Sequence, residues 1–219
     1  MRPSQYVYEK AKTLWQDCCH HPFVEEMAHG TLEKDKFRFY MIQDALYLNS
    51  YAKVFAWGMI KSQTEADIRA FATLLQSALE EESENHHAYL AQLQLTPEIL
   101  ASASPSLTTE SYTSYMLKVA SEEGPAEIAA AVLACSWSYA IIGSYAASFP
   151  GGLADPIFAH WIQTYISEAY QATNDATIAL FDRLASHYCQ TQLEHLSQIV
   201  ENCSRYEWLF WEMAWKKEM

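Results

Sequence analysis

The chain has 219 residues, half of them apolar and 14% aromatic, which is enough to bury a sizeable core and too hydrophobic for a disordered segment. Its formal net charge is -13, with no Lys/Arg cluster to offset it, so phosphate backbones and anionic lipid are repelled and neither nucleic acid nor a membrane surface is an expected partner. The 5 Cys form no C-x-x-C pair, Met1-Arg2-Pro3-Ser4 opens no signal-peptide pattern and no apolar run approaches the ~18–20 residues of a bilayer span, so the expectation is a cytoplasmic protein with free thiols.

Helical periodicity runs through almost the whole sequence. A first helix is predicted over residues 4–19, stopping at His20-His21-Pro22. A second runs over 32–61, with Thr31 as N-cap. Ser62-Gln63-Thr64-Glu65 has capping-box spacing and opens a long amphipathic helix ending near residue 95. Thr96-Pro97 starts a short helix, and the Ser/Thr-rich connection 102–109 leads into one that carries Tyr112, Tyr115 and Met116. Gly124-Pro125 breaks the chain before a strongly apolar helix that reaches about residue 148. Phe149-Pro150-Gly151-Gly152 reads as a loop. Asp155-Pro156 caps the next helix, kinked around 165–167, and the last spans 191–215. With no strand alternation, repeat or linker, the expected fold class is all-α, one helical domain over 1–219.

Three places along these helices can carry chemistry. Phe37, Tyr40, Asp44, Tyr47 and Tyr51 step by 3, 4, 3 and 4, so all five share one helix face. A carboxylate inside an aromatic stripe either caps another helix or meets an Arg, or else accepts from an amino-bearing ring held between aromatic faces. Cys135 and Tyr139 share a face of the apolar helix as i and i+4. Nothing beside Cys135 in sequence stabilises a thiolate, so pattern alone leaves it between an inert core residue and a nucleophile. Glu207 sits in the aromatic run Tyr206-Glu207-Trp208-Leu209-Phe210-Trp211. It either points to solvent or faces the core, where desolvation would suit it to proton transfer. Two E-x-x-H patterns, Glu26/His29 and Glu84/His87, have di-iron spacing, but the first falls at a connection and chance alone produces about one such match in this composition.

Taken together and in order, several stretches resemble the TenA family, the thiaminase II or aminopyrimidine aminohydrolases. These are His21-Pro22-Phe23-Val24, Gln43-Asp44-x-x-Tyr47, Ser111-Tyr112-Thr113-Ser114-Tyr115-Met116, Ala134-Cys135-Ser136-Trp137-Ser138-Tyr139, Trp161-Ile162-x-Thr164-Tyr165 and Tyr206-Glu207-x-x-Phe210-Trp211. The resemblance implies a haem-oxygenase-like helical bundle without haem, cofactor or metal, assembled as a homotetramer. It also implies a 4-amino-2-methylpyrimidine substrate with a leaving group on its 5-methylene. Cys135 would be the nucleophile and Glu207 the acid/base group. Asp44 would accept from the 4-amino group, and Tyr47, Tyr112, Tyr139, Tyr165 and Phe210 would line the pocket. The presence of Cys135 sets the chain apart from a branch of the family that relies on a carboxylate pair. The stretch 166–170 departs from the shared pattern. A di-metal oxygenase and a non-enzymatic regulator are the competing expectations for such a bundle.

Overall fold

The computed structural model describes the backbone of residues 1–219 and the side chains of 1–80 and 92–219. Among the described residues there are eleven α-helices and no strand. Proline at the first helical position opens six of them, where its missing N–H costs no hydrogen bond and its fixed φ is already helical. These are α1 (Pro3–Cys19), α2 (Pro22–Ala28), α5 (Pro97–Ser102), α7 (Pro125–Ala147), α8 (Pro150–Ala154) and α9 (Pro156–Ile166). The others are α3 (Lys34–Lys61), α4 (Glu65–Gln92), α6 (Leu107–Glu122), α10 (Glu168–Leu184) and α11 (Gln190–Lys216).

The expected breaks hold in place and differ in detail. Residues 22–28 form α2 because His21 acts as its N-cap, Nδ1 accepting the Phe23 N–H at 3.2 Å. Ser62 does not cap α4. Its hydroxyl donates back to the Gly58 carbonyl at 2.7 Å, and Thr64 accepts the Asp67 N–H at 3.1 Å instead. The expected loop at 149–152 contains the start of α8. Gly30 has φ 73° and packs on Gly151, and a Cβ at Gly151 would strike the His29 carbonyl, so glycine is what lets the two backbones meet. The expected kink at 165–167 is a full break, with Ser167 ending α9 in extended conformation and capping α10 by accepting the Tyr170 N–H at 3.1 Å.

Helix α7 is the axis of the bundle and packs against α1, α2, α3, α6, α9, α10 and α11. It is buried nearly all round, with residues 128–134 inaccessible to solvent. That is what a helix apolar on every face requires. Contrary to expectation, α7 is long and apolar enough by length and composition to cross a bilayer, but 72% of its apolar window is buried inside the protein, as in a core helix.

Candidate active site

On α3 the five-residue stripe is buried in full, with Asp44 7% exposed. Tyr47 and Tyr51 stack at 5.4 Å, and the Tyr51 hydroxyl donates to the Val132 carbonyl of α7 at 3.0 Å, which fixes the α3–α7 register one turn before Cys135. Between them lies a cavity of about 280 Å³. Asp44, Tyr47 and Tyr51 of α3, Cys135 and Tyr139 of α7, and Tyr165 of α9 form one part of its wall, and α4 and α10 close the other.

Cys135 is half-buried, and its thiol lies beside the carboxylate of Glu207 on α11, which is 2% exposed and whose anion the thiol helps to stabilise. The fully buried Tyr112 of α6 donates its hydroxyl to Glu207 Oε1 at 2.6 Å. Burial pushes the Glu207 carboxyl up to about 7, and the Tyr112 and Cys135 donors restrain that rise by stabilising the anion. Burial also holds the Tyr47, Tyr112 and Tyr139 phenols well above their ordinary range, so they act as neutral hydrogen-bonding groups.

The expected site residues therefore fall into two layers. Asp44, Tyr47, Cys135, Tyr139 and Tyr165 open onto the cavity, while Glu207, Tyr112 and Phe210 stand behind that wall. Phe210 packs its ring against Tyr40 and Tyr47 at 6.0 and 5.9 Å. Tyr139 is oriented by a relay that sequence reading did not single out: Trp161 Nε1 donates to the Tyr40 hydroxyl at 3.2 Å, which donates to the Tyr139 hydroxyl at 3.3 Å. It also passed over the α10 wall, Tyr170, Thr173, Asn174 and Thr177, whose i, i+3, i+4, i+7 spacing was the available signal. Among the described residues no three metal-ligating side chains converge. The His29 ring binds the Glu25 carbonyl at 2.7 Å, and Glu84/His87 lie outside the described side chains.

This helical bundle, with Cys135 at the cavity and the buried Glu207 beside it, has the haem-oxygenase-like fold. In a domain of unknown function from Shewanella denitrificans, with a heme oxygenase-like fold, the similarity is structural, with a TM-score of 0.72 at 16% identity over 96% of this chain and 91% of that one. Residues 8–217 match the TENA/THI-4/PQQC family, and the chain belongs to it. It is 44% identical to a Helicobacter pylori protein named aminopyrimidine aminohydrolase, over 99% of this chain and 100% of that one. A Halalkalibacterium halodurans protein of the same name is 38% identical over 97% and 95%. A TenA homologue from P. horikoshii superposes with a TM-score of 0.88 at 27% identity over 99% of both chains.

Proposed function

We propose that this chain is an aminopyrimidine aminohydrolase of the thiaminase II type, a hydrolase of thiamine salvage. It replaces the amine of 4-amino-5-aminomethyl-2-methylpyrimidine, or the thiazole of thiamine, by hydroxyl. Relatives of that name, 31–44% identical along essentially the whole chain, support the activity. The observation that carries the reading of the site is that Cys135 and Asp44 line one cavity, with the buried Glu207 beside Cys135.

An aromatic pyrimidine resists substitution at its methylene until addition to the ring breaks its aromaticity. Cys135 adds through sulfur to the ring carbon next to the substituted one, its proton passing to Glu207 and from there to the adjacent ring nitrogen. These two ring atoms are bonded neighbours, and Glu207 stands next to Cys135, just behind the wall that Cys135 lines. The adduct's electrons then expel the substituent, to give an exocyclic methylene on a cationic adduct. The amine enters as its ammonium form and leaves as neutral ammonia, and the thiazolium leaves as neutral thiazole. Water adds to the methylene carbon and its proton goes to the released base, the sulfur departs with its bonding pair, and the ring nitrogen returns its proton to Glu207. Asp44 accepts from the 4-amino group and fixes which ring carbon faces the sulfur. Tyr47, Tyr139 and Tyr165 hold the ring, and Tyr112 and Phe210 support Glu207 and Tyr47 from behind. This chemistry needs no metal or organic cofactor. The reading extends to a cytoplasmic homotetramer with small pyrimidines as its ligands.

The test is incubation of the purified protein with the aminomethyl pyrimidine and, separately, with thiamine, following ammonia and thiazole release. Release of ammonia, thiazole or both is expected; release of neither overturns the proposal.

A further inference from the structure

The cavity is longer than the residues assigned to the pyrimidine ring. Beyond Cys135 it continues between α4 and α10, where Ser77 and Glu80 face Tyr170, Thr173, Asn174 and Thr177. Most hydroxyls there are committed as donors to backbone. Ser77 donates to Thr73, Thr173 to Ala169, Thr177 to Thr173 and Tyr170 to Ser136, at 2.9–3.1 Å. Asn174 differs. It is 4% exposed, it lines the cavity, and its Oδ1 is buried with no hydrogen-bond partner among the described residues. Buried carbonyl oxygens almost always have a donor, and an orphan in a ligand cavity points to a donor that arrives with the ligand. The cavity is also electronegative, because Asp44 and Glu80 line it and no Lys or Arg does so among its described lining residues. Such a chamber favours a cationic or N–H-bearing guest.

We propose that the α4–α10 end of the cavity receives the leaving group, and that Asn174 sets its class by accepting a hydrogen bond from an N–H on the pyrimidine's 5-substituent. This rests on the proposed pyrimidine reading and refines it. Thiamine, whose leaving nitrogen is quaternary and has no hydrogen, cannot make that bond. A site built around a hydrogen-bond acceptor discriminates against ligands that cannot supply the donor, because its own polar group is then left unpaired.

The experiment measures dissociation constants on a Cys135→Ser background, where binding is read without turnover. The probes are the aminomethyl pyrimidine, thiamine and 4-amino-2,5-dimethylpyrimidine, which keeps the ring and lacks a leaving group. Asn174→Leu, close in size and without an acceptor, is expected to weaken the aminomethyl pyrimidine about tenfold, with thiamine and the dimethyl analogue within about twofold of the parent. Asn174→Asp retains the acceptor and the shape, and is expected to hold the aminomethyl affinity or tighten it. Equal weakening of all three probes, or no change in any, overturns the assignment. If the parent protein binds none of the three, the functional reading and this inference fall together. Binding without turnover in the wild type would remove the catalytic reading alone, and the ratio of dissociation constants would still decide the subsite.

Discussion

The pairing of Cys135 with Glu207 is the feature on which single-residue experiments bear most directly. Removing the sulfur removes the bond-forming atom and little else, since serine fits the same space. Cys135→Ser is therefore expected to lower kcat by at least about 10³-fold while pyrimidine affinity, measured by calorimetry, changes little. Full activity in that protein would end the proposed mechanism. Glu207 must be ionised in the free enzyme to take the thiol proton, so kcat/KM should rise with pH on an acid limb near 7, the value to which burial pushes its carboxyl. Tyr112 donates to that carboxylate and lowers its pKa, so Tyr112→Phe should move the limb to higher pH. A pH–rate profile with an unmoved limb would show that Tyr112 does not tune Glu207. Part of this site was legible in sequence and part was not. The 3–4 spacing of Asp44 and Tyr47 puts them on one face by geometry alone. The contact between Cys135 and Glu207, by contrast, joins α7 to α11 across 72 positions of sequence, and no periodicity within either helix reports it.

Helices α7 and α9 meet closely enough that their junction can be tested with a single methyl group. At Gly143 a Cβ would lie 2.6 Å from the Tyr165 Cβ and 3.4–3.5 Å from its backbone, so the ring that lines the cavity sits where it does because residue 143 has no side chain. In an open helix interior, Gly→Ala stabilises by ~0.5–1 kcal/mol. Here the overpacking term should win, and Gly143→Ala is expected to cost about 1–3 kcal/mol in urea unfolding and to lower kcat/KM by shifting Tyr165. A stabilised, fully active variant would show that α9 is free to slide. The helices themselves were readable because their breaks are made by proline, glycine and capping Ser, Thr or Asp, whose local effect is strong. The short helices α2 and α8, unlike α5 with its Thr96 cap, were not. Their 7 and 5 residues are too few to display a period, and both are held by contact with each other and with α7 rather than by propensity.

For the molecule as a whole, the buried acid is a cost to folding that depends on pH. The ordinary Glu value is 4.5 and burial raises Glu207 to about 7, so between these the native state binds the proton that the unfolded chain releases. Stability from this group is then fully present below about pH 4.5 and is lost progressively up to about 7, for a total near 3 kcal/mol. Asp67, Asp155 and Glu212 work in the opposite sense, each held below its usual range and gaining stability as pH rises. The wild-type curve alone therefore does not isolate Glu207, whereas its difference from Glu207→Gln does. The neutral amide carries no ionisation penalty, so the variant's stability relative to wild type should be constant below about pH 4.5, climb by about 3 kcal/mol through the window and stay flat above about pH 7. Urea unfolding of both proteins across that range measures it. A difference that does not vary with pH would mean that Glu207 is solvated in the native state, and the proton relay from Cys135 would lose its buried acceptor. A rising difference would show that the chain folds around an acid it must pay to ionise, as expected where a carboxyl is kept for proton transfer rather than for stability.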